Sequence, residues 1–93
     1  MNTTRGSWQE DPQGLHQLFC FADFDHALAF TVAVGRLAKA ADHHPDIDIR
    51  FNQVALSLIT HDAAQVTEKD HSLAQAIDRL SPAELADGLR RLL

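Results

Sequence analysis

The sequence predicts an α+β domain: a four-stranded antiparallel sheet with helices packed on one face, in the order ββαββαα. Three observations lead there. Two short runs near the middle alternate apolar and polar residues, which is the period of a half-buried strand. Residues 24–41 carry the helical period instead. Two helix-start signals follow in the last third, at Thr67 and Ser81. Strands joined in hairpins, with helices set apart from them, make an α+β arrangement.

The elements follow in chain order. Residues 1–7 are polar, and Trp8 begins a possible edge strand. Pro12 to Gly14 reads as a turn. Leu15 to Phe21 is the next strand, with Leu15, Phe19 and Phe21 on one face and Leu18 and Cys20 on the other. Both faces are partly apolar, so both are candidates for cover. Asp23 is a suitable N-cap for a helix over 24–41. Ala27, Phe30, Val34, Leu37, Ala38 and Ala41 fall on its inner side; Ala29 and Val32 lie among charged residues on a mixed face. Pro45 stops the helix, because a residue before proline avoids the α region.

Ile47, Ile49 and Phe51 alternate with polar residues, and Val54, Leu56 and Leu58 repeat the spacing. Asn52-Gln53 is the expected two-residue loop, with Asn in the left-handed conformation. In that register Phe51 faces Val54, Ile49 faces Leu56, and Ile47 faces Leu58. All six share one apolar face. The opposite face then ends in His44 directly across from His61, while His43 enters from the side. A one-residue slip would destroy the separation of faces. Thr67 caps a further helix whose stripe is Leu73, Ile77 and Leu80. Ser81, Pro82 and Glu84 open the last one, with Leu85, Leu89 and Leu92 inward and Arg90 and Arg91 in its final turn.

Composition excludes several functions. The chain has 93 residues, 45% of them hydrophobic, which fits one soluble domain spanning 1–93. A net charge of −5 argues against a nucleic-acid partner. No apolar run approaches membrane-spanning length. The start of the chain lacks the apolar stretch of a signal peptide, so a cytoplasmic location is the expectation. Cys20 is single and sits in a Phe-rich run, where a buried, inert thiol is expected.

The chemistry concentrates in Asp42 to His61, which holds three of the six histidines. One such histidine alone is most often a solvated or capping residue. Three converging on one strand end are harder to assign to packing. Two chemistries remain open: a three-histidine metal site, or metal-free acid–base catalysis by imidazole. The second is preferred, because the adjacent side chains of His43 and His44 diverge and no Cys accompanies them. His16, His26 and His71 show no convergence and read as surface residues. Asp70 reads first as a helix first-turn carboxylate, with His61 as a residue it could orient.

At these residues the chain resembles the pterin-4a-carbinolamine dehydratase family. The family's signature runs from a charged or His residue, here Lys39, through three positions to His43-His44-Pro45. After five residues comes an aromatic, Phe51; after nine more stands His61, and after eight more Asp70. The segments FADFDHALAF and THDAAQVTEKD also look like the family, and the likeness covers about Leu15 to Leu80. The resemblance implies dehydration of 4a-hydroxytetrahydropterin to the quinonoid dihydropterin, recycling the tetrahydropterin used by aromatic amino acid hydroxylases. It implies no metal and no cofactor. It makes His43 and His61 the acid–base pair and His44 a pterin-binding residue. Asp42 and Thr60 would also line the site, with Asp70 supporting. It also implies a homodimer or homotetramer, and leaves room for a non-catalytic binding or dimerisation module. Two departures stand out. Lys39 occupies a position that is often Glu. The family usually opens with a helix ahead of the Trp, whereas here a similar helix follows Leu80. Circular permutation, with residues 82–93 in place of the first helix, and a chance match of a Leu-rich tail are both open.

Overall fold

The computed structural model describes residues 4–5 and 7–92, apart from the side chains of 4, 5, 82, 84, 91 and 92. The strands are β1 (Thr4–Arg5), β2 (Gln9–Asp11), β3 (Gly14–Cys20), β4 (Asp46–Arg50) and β5 (Gln53–Leu58). The helices are α1 (Phe24–Ala41), α2 (Glu68–Asp78) and α3 (Pro82–Leu92). β1 and β2 both pair with β3, at opposite ends and one residue out of step, and so fill one position in the sheet. The remaining order is β3-β5-β4, every pairing antiparallel. The sheet is thus four strands wide and the expected α+β order holds.

The core forms where the predicted faces meet. Leu15, Phe19 and Phe21 of the β3 region and Val54, Leu56 and Leu58 of β5 are buried against Ala27, Phe30, Val34 and Ala38 of α1. Leu73, Ala74 and Ile77 of α2 complete it. Phe30 packs its ring 4.7 Å from that of Phe19 and 4.9 Å from that of Phe21. On the other face of β3, Leu18 is 49% exposed, so the described residues do not supply the expected second cover.

The central hairpin departs from expectation by two residues. Its loop is Phe51-Asn52, so Arg50 pairs with Gln53, Ile49 with Val54 and Ile47 with Leu56. Phe51, not Asn52, takes the left-handed conformation, with φ 53°. Asn52 is held elsewhere: its side-chain N–H donates to the Phe21 carbonyl (2.9 Å), and its own carbonyl accepts from the Phe21 N–H (2.8 Å). A slip of two preserves the faces, because side chains alternate with period two. It moves the ends, however. Extending the ladder would bring His44 beside Ile59, so His44 and His61 are not cross-strand partners. The apolar face is also less covered than expected on the edge strand: Ile47 is 39% exposed and Phe51 71%.

α1 ends as a helix should when left-handed geometry is available. Asp42 adopts φ 51°, its N–H reaches the Lys39 carbonyl, and the His43 N–H reaches that of Ala38 (3.1 Å). This cap, rather than Pro45 itself, turns the chain. α3 lies along the mixed face of α1 and not on the sheet. A Cβ at Gly88 would come within 3.2 Å of the Ala29 carbonyl oxygen, so the helices touch backbone to backbone there. That contact buries Ala29 completely, and Leu85 reaches the main core. The mixed face is therefore an intramolecular seam. Leu89 is half-buried, while the side chain of Leu92 lies outside the described residues.

Candidate active site

The turn at Asp42 throws His43 off the end of α1 and towards the start of α2. Its Nε2 lies 2.5 Å from Asp70 Oδ1. Asp70 is the third residue of α2, and its Oδ2 accepts the Thr67 N–H (2.9 Å), half of a capping box. The same oxygen accepts the Thr60 hydroxyl (2.8 Å). Thr60 has one hydroxyl proton and gives it to Asp70. The 2.6 Å contact between the Thr60 and Thr67 hydroxyls therefore has Thr67 as donor.

Asp70 is fully buried. Burial is the largest influence on its carboxyl and pushes the pKa up. The hydrogen bonds from His43, the Thr67 N–H and the Thr60 hydroxyl outweigh it and hold the group below the usual carboxylate value. An ionised Asp70 can only accept, so the His43 proton sits on Nε2 and its Nδ1 is the nitrogen with a lone pair. Asp70 is the first-turn carboxylate expected, and the imidazole it orients is His43, whose side chain is only 12% exposed, rather than His61.

Thr60 starts a tight loop, closed by its bridge to Gln65, which carries His61 outward. Ala64 takes φ 54° in that loop. Asp42, His43, His44, Thr60 and His61 all line one pocket of about 180 Å³, joined by Ile59, Asp62 and Lys69. Each sequence-expected pocket residue is thus present, although the route differs from strand pairing. His44 and His61 are exposed, and His43 is half-buried. Among the described residues no group of three His, Cys, Asp or Glu side chains is arranged to hold a metal ion. Lys39 is exposed and does not line the pocket.

Sequence reasoning missed Thr67, which acts through Thr60, and Lys69 on the pocket wall. Thr67 had a signal: as N-cap of α2 it sits three residues before Asp70. The other histidines are less superficial than expected. His16 bridges Asp11 (3.0 Å) and Ser57 (2.8 Å), His26 pairs with Asp23 (2.5 Å), and His71 with Glu10 (3.4 Å). All three are half-buried.

The sequence profile of the family described as "Pterin 4 alpha carbinolamine dehydratase" matches residues 1–80. The chain belongs to that family. Among its curated relatives, a protein provisionally named pterin-4-alpha-carbinolamine dehydratase from Chloroflexus aurantiacus is 50% identical over 76 residues, covering 82% of each chain. A counterpart with the same provisional name from Acidobacterium capsulatum is 45% identical over 74 residues, 80% of each. The pterin carbinolamine dehydratase fold is found in solved structures too. One is a transcriptional coactivator/pterin dehydratase from Brucella melitensis (TM-score 0.73, 30% identity, covering 80% of this chain and 81% of that one). Another is a pterin dehydratase-like protein identified as a RuBisCO assembly factor in the alpha-carboxysome (TM-score 0.66, 25% identity, covering 78% and 87%). No helix among the described residues is long and apolar enough to cross a membrane.

Proposed function

We propose that the chain dehydrates 4a-hydroxytetrahydropterin to quinonoid dihydropterin by histidine acid–base catalysis. The observation that carries this reading is the Asp70–His43 pair, at 2.5 Å, in a pocket that also holds His44 and His61. The reaction removes water across C4a and N5. His43 Nδ1 takes the N5 proton while the N5 electron pair forms the C4a=N5 bond. The C4a–O bond breaks, and the departing hydroxide leaves as water with a proton from His61. Asp70 stabilises the imidazolium that forms on His43, as a buried carboxylate does for a general base. His44, Asp42 and Thr60 are assigned to holding the pterin. The functional unit is proposed to be a homodimer or homotetramer, since burial between subunits stabilises so small a core.

The test is a dehydration assay on enzymatically generated 4a-hydroxytetrahydropterin, comparing wild type with His61→Ala. Wild type should exceed the spontaneous rate, and the variant should lose roughly 10²–10⁴ of that gain. A wild type no faster than the spontaneous reaction would defeat the enzyme reading. It would favour a second one, a non-catalytic binding module, for which the carboxysome assembly factor of similar fold is the supporting observation.

A further inference from the structure

Thr67 is not on the wall of the polar pocket, yet its side chain belongs to the network behind it. An N-cap hydroxyl serves its helix through the oxygen, which leaves the proton for another partner. At Thr67 that partner is the Thr60 hydroxyl, 2.6 Å away. With one lone pair of Thr60 so engaged, its own proton is aimed at Asp70 Oδ2 (2.8 Å). We propose that Thr67 is a positioning residue for the acid–base pair: through Thr60, its hydroxyl fixes both the carboxylate that orients His43 and the loop that presents His61.

This inference rests on the dehydratase reading and adds a residue to it. Thr60 is the junction. Its side chain reaches the start of α2, while its backbone closes the loop. The Thr60 N–H donates to the Gln65 carbonyl (3.2 Å), and the Thr60 carbonyl accepts the Ala63 N–H (3.1 Å). His61 is the next residue, and its carbonyl accepts the Ala64 N–H (3.1 Å). Ala64 holds φ 54°, a left-handed conformation that is unfavourable for a residue with a Cβ and persists only where the surroundings impose it. The Thr60 hydroxyl is a tie from outside the loop, running to both Asp70 and Thr67. Thr60 is buried and Thr67 half-buried, so water competes little for these bonds. Without the Thr67 donor, a lone pair of the buried Thr60 hydroxyl is left unsatisfied. The bond Thr60 gives to Asp70 then loses the polarisation that a chain of hydroxyls supplies. Both imidazoles lose definition from that one deletion.

Steady-state dehydration by the full chain tests this, at a temperature where each variant is folded. Thr67→Val removes the hydroxyl and nearly keeps the shape. Its kcat should fall about three- to tenfold, the size of one hydrogen bond, with KM within about twofold. Thr67→Ser restores the hydroxyl and should regain at least about half of the wild-type kcat. Asp23→Ala removes a cap of the same kind from α1, where the Asp23 side chain accepts the His26 N–H (2.9 Å), and should leave kcat within about twofold. Thr60→Val with Thr67→Val should lose no more kcat than Thr60→Val alone, because Thr67 acts through that hydroxyl. Four results would each overturn the positioning role and leave the dehydratase reading intact: a Thr67→Val kcat within about twofold of wild type, a loss carried by KM, a loss that Ser does not restore, or an equal loss in Asp23→Ala. Additive losses in the double variant would do the same, and if that variant does not fold the single ones decide. A wild type no faster than the spontaneous reaction overturns the dehydratase reading, and the positioning role with it.

Discussion

Asp70→Asn changes charge without changing shape, and the structure fixes what should follow. The carboxylate accepts two hydrogen bonds at Oδ2, from the Thr60 hydroxyl and the Thr67 N–H, and one at Oδ1 from His43. An Asn keeps both bonds at the Oδ2 position by placing its carbonyl oxygen there. Its NH₂ must then face His43 Nε2. A donor facing a donor is untenable, so His43 moves its proton to Nδ1, and the nitrogen needed as base is blocked. Loss of charge weakens the two retained bonds by about 1 kcal/mol each, or about 2 kcal/mol of stability together. For a domain of this size that lowers Tm by roughly 8–16 °C. The rate should fall further than stability alone explains: kcat drops by about 10²–10⁴ at a temperature where the variant is folded. Thermal melts and the dehydration assay measure the two effects separately. Combining Asp70→Asn with His43→Ala should cost no more activity than His43→Ala alone, because the carboxylate acts through that ring. A variant within about twofold of wild-type kcat, or fully additive losses in the double variant, would refute the reasoning.

Two further outcomes concern the fold. Because the native Asp70 carboxyl lies below its ordinary value, its contribution to stability is fully present above the unfolded pKa of about 3.9 and fades as pH falls through the lower folded one. Urea midpoints taken from about pH 6 downward should therefore fall more steeply below about pH 4 in wild type than in Asp70→Asn; parallel curves would count against the assigned role. Gly14 has φ 144°, and a Cβ there would stand 2.7 Å from the Leu58 carbonyl oxygen. Gly14→Ala should cost about 3 kcal/mol in urea unfolding, from backbone strain and overlap together, and a loss under about 0.5 kcal/mol would contradict that.

Much of the site was legible before the fold was known, but unevenly. His43, His44 and His61 could be grouped by spacing, and the family signature added Asp42, Thr60 and Asp70. The geometry was less accessible. Asn52 is the better left-handed residue by propensity, yet Phe51 takes that role because the Asn52 amide is committed to the end of β3. That preference for a tertiary hydrogen bond displaced the whole hairpin register by two. The Asp70–His43 bond spans 27 residues and joins a helix end to a helix start, so no local pattern announces it. The first-turn position of Asp70 was the available local signal, and the histidine it suggested as a partner was His61 rather than His43. The seat of α3 was hidden for a similar reason. Ala29 and Gly88 are ordinary singly, and only together do they let two helices approach at backbone distance.

What depends on near neighbours was written in the order of residues. The bounds of α1 follow from an apolar stripe and the Asp23 cap, whose side chain accepts the His26 N–H. The faces of β5 follow from alternation, and the start of α2 from Thr67 with Asp70. Periods of two and 3.6 residues are enforced by the backbone, so a linear pattern suffices to specify them. Packing in three dimensions settled which strand end meets which, and hence which imidazole receives the buried carboxylate. It also brought His43 to the lining of two cavities, the polar pocket and a groove between α1 and α2. Those outcomes depend on how separate elements fit in space, where a hydrogen bond from Asn52 or a missing Cβ at Gly88 outweighs local propensity.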